Sequence, residues 1–229
     1  MTRTGLDPAT ELHVSKSLEA LGREFEGVHS PEQIEHVLQD SVRQISNEAS
    51  VEHYVPALAG RLARERLRSL GQTQGTISKD VPEVVFVGLH DTGRGQMAAA
   101  LMRECGGSRV NVHSAGSGTL AEIDPAVAQA MEEAGIHLEE AYSKPLTEEV
   151  LGAADVVVTM GRSVGEVMIP AGARHLDWRL GDPGGAAIDE VRKIRDEIRA
   201  RVQRLCDEIT QQPDGPPFGA KSFPRLPTG

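Results

Sequence analysis

Cysteine is scarce in this chain: Cys105 and Cys206 are the only two among 229 residues, far apart in sequence and without metal-ligand spacing. That excludes a disulfide framework and a zinc site of the usual kind. No other constellation of histidines and carboxylates suggests a metal, and no cofactor is expected. Positive charge is short as well, with 24 Lys and Arg against 34 Asp and Glu, a net charge of −10. A general polyanion binder needs a basic face that releases counterions from phosphates, so nucleic acid is not an expected partner. No run approaches the roughly 20 apolar residues of a membrane helix, and Met1 to Pro8 has no apolar core of a signal peptide; a cytoplasmic protein without membrane contact is expected. What remains is a globular balance, 39% apolar and 25% charged. The length suits one α/β domain and a smaller companion.

The grammar of the chain changes once. Val14, Leu18, Leu21 and Phe25 recur at helical spacing, then Gly27 ends that run and Ser30-Pro31-Glu32-Gln33 offers an N-cap, a first-turn proline and a capping-box glutamine. Ile34, Val37, Leu38, Val42 and Ile45 form a second stripe; after a break at Asn47–Ser50, Val51, Val55, Leu58, Leu62 and Leu67 form a third. This predicts a three-helix bundle over residues 1–70, then an aperiodic linker over 71–80. From Val81 short β-branched runs alternate with helical stretches, the signature of a parallel sheet with crossover helices. Strands are predicted at Val84–Val87, Val110–His113, Asp155–Thr159 and Arg174–Leu176, and helices from Gln96, Pro125 and Thr147. A closing helix carries Val191, Ile194, Ile198, Val202, Leu205 and Ile209 on one face. The α/β domain is set at 81–210; the proline- and glycine-rich tail, 211–229, is expected to be disordered.

Chemistry concentrates in Val84-Val-Phe-Val-Gly-Leu-His-Asp-Thr-Gly-Arg-Gly-Gln-Met-Ala98, a buried strand running through a glycine-bearing turn into a helix. Such a turn aims backbone N–H groups and the positive end of a helix dipole at one spot. Arg94 adds a planar fork that suits two oxygens of an anion. The predicted anion site is therefore Gly88, Leu89, His90, Asp91, Thr92, Gly93, Arg94 and Gly95. A glycine turn capped by a surface arginine is the plainer alternative.

This stretch resembles the loop of the low-molecular-weight tyrosine phosphatase and thiol arsenate reductase superfamily, which reads Cys, five residues, Arg, Ser. His90, Gly93, Arg94, Gln96, Met97 and Ala98 match the arsenate reductase version. Further matches follow in order: Ser114-Ala-Gly116, Asp124-Pro125, Lys144-Pro-Leu-Thr147, Ala154 to Gly161, Asp177-Trp178, Asp182-Pro183 and Ile194 to Ile198. The first seventy residues resemble an N-terminal extension of some actinobacterial members. The resemblance implies a four-stranded parallel sheet flanked by helices, preceded by a small all-α bundle, and it implies that Asp182 matches the general-acid loop.

Three positions depart: Gly88 stands where the family has its nucleophilic cysteine, Asp91 at an asparagine position, and Gly95 where a hydroxyl steadies the thiolate. Without a thiolate at 88 covalent attack on phosphorus or arsenic cannot begin there. An ionised Asp91 would repel a dianion or pair with Arg94. The expectation drawn is an oxyanion-binding protein repurposed for non-thiol acid/base chemistry on a small anionic substrate, with Asp182 and Asp91 as the catalytic pair. A pseudophosphatase module that binds a phosphorylated ligand, its helical bundle contacting a protein partner, is the second reading. Thiol phosphatase and arsenate reductase activities come last.

Overall fold

The computed structural model describes residues 8–46, 55–119, 121–138, 141–161 and 167–210. The break at Asn47–Ser50 and the tail from 211 lie outside the described residues. Three helices open the chain: α1 Pro8–Glu24, α2 Pro31–Ser46 and α3 Val55–Gln74. Ser30 caps α2, its hydroxyl accepting from the Gln33 N–H at 3.2 Å. Val14, Leu21, Phe25, Ile34, Val37, Leu38, Val42, Ile45, Leu62 and Leu67 bury one shared core. Helix α3 runs past the predicted end at residue 70. Gly71 reads as a linker glycine, yet a Cβ there would meet the Ile77 side chain at 2.6 Å. Its missing side chain lets Ile77 fold back onto the helix, so the glycine extends packing rather than ending it.

The rest is a four-stranded parallel sheet in the order β2-β1-β3-β4, formed by β1 Glu83–Gly88, β2 Asn111–Gly116, β3 Val156–Met160 and β4 Arg174–Trp178. Between and after these strands come α4 Arg94–Gly106, α5 Pro125–Glu132, α6 Glu148–Gly152 and α7 Ile188–Thr210. Every residue of β1 is buried, as a central parallel strand covered on both faces must be. Alternation sorts the faces. Val84, Phe86, Val156 and Val158 join α4, α5 and α7 in the main core, while Val85, Val87 and Val157 meet Val150 of α6 and Ala154.

Each strand departs from its predicted ends by one to three residues, and two of these shifts matter for the site. Strand β1 begins at Glu83, only 2% exposed, because its carboxylate accepts from Gln72 at 2.6 Å and Asn111 at 2.8 Å and pairs with His113 at 3.0 Å. Local sequence gives no sign of those partners. Strand β2 runs on through Ser114-Ala-Gly116, so that Gly116 pairs with Gly88.

Helix α3 joins the bundle to the sheet domain by packing on α6. Arg66 sits at that seam, 7% exposed, and pairs with Asp40 of α2 and Glu149 of α6, each at 2.8 Å. Removing one partner of a buried ion pair leaves an uncompensated charge. Arg66→Met should therefore cost about 3 kcal/mol in urea unfolding. Arg64→Ala, which breaks the exposed Arg64–Glu24 pair, should cost under about 1 kcal/mol.

Candidate oxyanion site

Strand β1 has β2 on one side and β3 on the other. The crossovers therefore part at β1, and a crevice opens beyond the C-terminal ends of the strands, where open α/β sheets bind ligands. Residues 88–95 lie there. They line a pocket of about 230 Å³ with Asp124, Met160, Asp182, Pro183 and Gly184. All eight residues predicted for the anion site line this one pocket, with Asp182 at its mouth.

The loop owes its shape to tethered carbonyls. The Gly88 carbonyl accepts from Ser117 N–H at 3.0 Å, Leu89 from Gly118 at 2.7 Å, Thr92 from Asp124 at 3.2 Å and Gly93 from Met97 at 3.0 Å. The Ser143 hydroxyl donates to the His90 carbonyl. Among the described residues, none of the N–H groups of residues 89–96 donates to a main-chain carbonyl. They lie next to the N-terminus of α4, the positive end of its dipole. Gly116 makes the floor possible: a Cβ there would lie 3.0 Å from the His90 carbonyl carbon and 3.2 Å from the Asp91 nitrogen.

Asp91 is placed differently from the expectation of a carboxylate facing the ligand. Its backbone is left-handed, φ 53°, a conformation that Asp and Asn tolerate better than most residues. That turns the side chain under the loop. Oδ2 accepts from Gln96 Nε2 at 2.8 Å, Ser114 Oγ at 3.2 Å and Lys144 N at 3.2 Å. Oδ1 is buried without a partner among the described residues. It lies 3.0 Å from where a Cβ on residue 95 would sit, so the carboxyl takes up space that Gly95 leaves open. Burial raises its pKa to about 7, against the opposing pull of Lys144 and the three donors. Asp91 is thus a buttress of the loop.

The Arg94 fork is turned toward the far wall. Nη1 donates to the carbonyls of Leu180 at 3.1 Å and Gly181 at 3.2 Å, and Nη2 to Asp182 Oδ2 at 3.4 Å. The guanidinium rests on Gly161, whose φ is +101° and whose Cβ would be 2.8 Å from Nη2. His90 Nδ1 lies 2.8 Å from the Thr119 carbonyl, consistent with Nδ1–H as donor. A Cβ on Gly93 would strike Pro183 at 2.7 Å, so that glycine lets the Asp182 loop close over the pocket. Asp124 ties these parts together by capping α5 through Ala126 N–H at 2.8 Å and accepting from Gly185 N–H at 3.4 Å. Sequence reasoning gave Asp124, Gly161, Ser114 and Lys144 no role in the site. They stood in matched motifs, but only the folded chain brings Asp124 to the pocket and sets the other three against Asp91 and Arg94.

At Gly88 the backbone still has room for a side chain: an added Cβ meets nothing nearer than Asp91 N at 3.8 Å. The two cysteines are elsewhere. Cys105 on α4 donates to the Met102 carbonyl, and burial together with neighbouring Cys206 on α7 pushes its thiol up to about 12. Among the described residues there is no group of three or more His, Cys, Asp or Glu that could hold a metal. Among them too, no helix is long and apolar enough to cross a membrane.

Fold and loop together define a class: a parallel α/β protein with a glycine-bearing turn and a pocket after its first strand. The chain belongs to the low molecular weight phosphotyrosine protein phosphatase family, whose pattern matches residues 83–214. Residues 14–71 match the protein-tyrosine-phosphatase-like N-terminal domain. Arsenate reductase 2 of Staphylococcus saprophyticus is 30% identical over 130 residues, 56% of this chain and 98% of that protein. The solved thioredoxin-dependent arsenate reductase of Corynebacterium glutamicum is similar with a TM-score of 0.77 at 34% identity, covering 87% of this chain and 97% of that one. An arsenate reductase solved in its phosphate-binding state has a TM-score of 0.52 at 27% identity, covering 57% of this chain and all of its own.

These relatives correct the functional expectation. Reading the chain as a non-thiol acid/base enzyme, or as a module outside the family's thiol-dependent activities, rests on the departures at Gly88, Asp91 and Gly95. The relatives are arsenate reductases and phosphatases, and none points to a non-thiol reaction. Three changed side chains in one loop are too little to define a new reaction class.

The Asp91 carboxyl gives a pH test. Its folded pKa, about 7, lies above the ordinary 3.8, so the folded state holds this proton more tightly. The associated stability is full below the ordinary value and is lost as pH rises toward 7. Asp91→Asn removes that titration. Its melting temperature should exceed that of the wild type most above pH 7, and the gap should shrink toward pH 4.

Proposed function

We propose that this protein binds a tetrahedral oxyanion of the phosphate or arsenate class in the 88–95 loop and serves thiol-dependent arsenate reduction, with the thiols supplied by a partner. The observation that carries this reading is the division of the loop's main chain, carbonyls tethered outward and the N–H groups of 89–96 unspent. Preorganised donors of this kind bind anions and stabilise charge that develops during transfer. The thiol half follows from the named activities of the relatives, one of them thioredoxin-dependent. Gly88 supplies no sulfur, and Cys105 is a protonated thiol away from the pocket lining.

In this scheme a partner thiolate attacks bound arsenate from the open side. A sulfur–arsenic bond forms and one arsenate oxygen leaves as water, with Asp182 carrying a proton at the mouth. A second thiol then attacks that sulfur, making a disulfide. The electron pair of the sulfur–arsenic bond stays on arsenic, which leaves as arsenite. Two thiols are oxidised and one arsenic(V) becomes arsenic(III).

Calorimetry should show phosphate and arsenate binding, weakened by about 10-fold or more in Arg94→Ala, the loss of a charge-assisted contact. Arsenite should accumulate with a thioredoxin system as reductant, and Asp182→Asn should slow it with little change in arsenate affinity. No oxyanion binding would sink the reading; binding without arsenite would sink its thiol half.

Gly88→Cys offers an independent check, since the backbone admits the side chain. Surrounded by loop N–H groups, the new thiol should titrate below the ordinary value of about 8.5, as read from alkylation rate against pH. Gly95→Ser should not be added to it, because Asp91 Oδ1 would lie 3.0 Å from the new Cβ.

A further inference from the structure

The oxyanion loop is braced from outside its own domain. The segment Tyr142-Ser143-Lys144 crosses beneath it and touches it three times. The Tyr142 carbonyl accepts from Gln96 Nε2 at 3.0 Å, the Ser143 hydroxyl donates to the His90 carbonyl, and Lys144 N–H donates to Asp91 Oδ2 at 3.2 Å. On its other side this strap is bound to α3 of the N-terminal bundle. The Lys144 ammonium, on a side chain only 7% exposed, meets both Glu65 oxygens at 3.1 and 3.0 Å. The Arg61 guanidinium lies 5.0 Å from the Tyr142 ring centroid, and the Tyr142 hydroxyl donates to the Leu58 carbonyl at 3.5 Å. Burial opposes the charge on Glu65, but Lys144 and His113 hold its carboxyl down at about 2.

We infer that Glu65, carried by the N-terminal bundle, is a positioning residue for the oxyanion site: it anchors Lys144, and the strap so fixed holds the His90–Asp91 turn in its anion-binding shape. The inference deepens the binding reading above and rests on it for its ligand. It gives the bundle a part in the site, though no bundle residue lines the pocket. The physical route is short. A buried ammonium without its carboxylate seeks another partner, and Lys144 already acts on Asp91 through space. The strap would shift toward Asp91, and the tether on the His90 carbonyl would loosen.

The charged groups around Asp91 fix the expected sign. Lys144 on the strap favours its ionised form, and Arg103 on α4 is coupled to it. Tyr142 is also coupled to Asp91. Glu65 on α3 and His113 on β2 act on Lys144 from the far side. With the Glu65 charge gone, the Lys144 charge is less compensated, so Asp91 should ionise at lower pH.

The test uses the full chain and sulfate, a dianion across pH 5–8. Glu65→Gln should weaken sulfate binding about 3- to 10-fold at neutral pH, within the range that positioning mutations produce. It should also move the midpoint of the pH profile downward. Lys144→Met should weaken binding similarly, and the double variant should be no weaker than the poorer single one, as expected for one linked pair. Arg64→Ala, also on α3 but paired with Glu24, should match the wild type. Amide hydrogen exchange without ligand gives a second readout: the Ser117, Gly118 and Lys144 amides, which donate to the loop, should exchange faster in Glu65→Gln while the α7 amides keep their protection, which separates local loosening from unfolding. Unchanged exchange at these amides in the folded variant overturns the inference whether or not sulfate binds. Unchanged sulfate affinity and pH profile overturn it as well. A wild type that binds no oxyanion, with exchange at these amides still accelerated by Glu65→Gln, overturns the binding reading and leaves the positioning supported.

Discussion

A backbone segment can present N–H groups on one side only if its carbonyls find donors on the other, because buried main-chain polar groups are costly to leave unpaired. That constraint organises this site. The carbonyls of Gly88, Leu89, His90, Thr92 and Gly93 are each taken by a different neighbour: Ser117, Gly118, Ser143, Asp124 and Met97. Those neighbours come from the end of β2, the α5 cap, the 142–144 strap and α4. Much of the sheet domain thus serves to hold one short turn. The glycines at 93, 116 and 161 follow from the same need, since a Cβ at each would meet Pro183, the loop backbone or Arg94.

The departures at 91 and 95 are coupled through space. Asp91 Oδ1 lies close to where a side chain on residue 95 would begin, so a carboxyl at 91 and glycine at 95 are compatible, whereas a hydroxyl at 95 would crowd it. Burial then leaves Asp91 with a pKa near neutrality, about 7. The buttress of the loop changes charge where most carboxyls would already be ionised. Gly88 differs in kind: it removes a side chain without closing the space that the side chain would fill.

The N-terminal helices are more than an appendage. Arg66 joins α2 and α3 to α6, Gln72 reaches Glu83 at the start of β1, and Glu65 holds the strap beneath the loop. These are buried, charge-assisted contacts, which need both partners to be tolerable. Bundle and sheet domain each have their own apolar core, and their junction joins these ion pairs to the packing of Tyr142 and Ile77 on the bundle.

Apolar periodicity by itself determined the helices and the sheet, since a 3.6-residue stripe and a continuous β-branched run bury their faces in only a few ways. The order of motifs likewise determined the family, and the strand-turn-helix pattern located the loop that lines the pocket. Tertiary structure decided what no local pattern encodes. It placed Glu83 inside a strand because Gln72, Asn111 and His113 surround it, and it carried α3 past Gly71 because Ile77 fills the gap. It turned Asp91 under the loop because a left-handed backbone points the side chain at Gln96, Ser114 and Lys144, and it set Glu65 against Lys144 across 79 residues of chain. The reason is common to these cases: the energy of a buried charge or a tethered carbonyl belongs to a pair, and the second member lies far away in sequence.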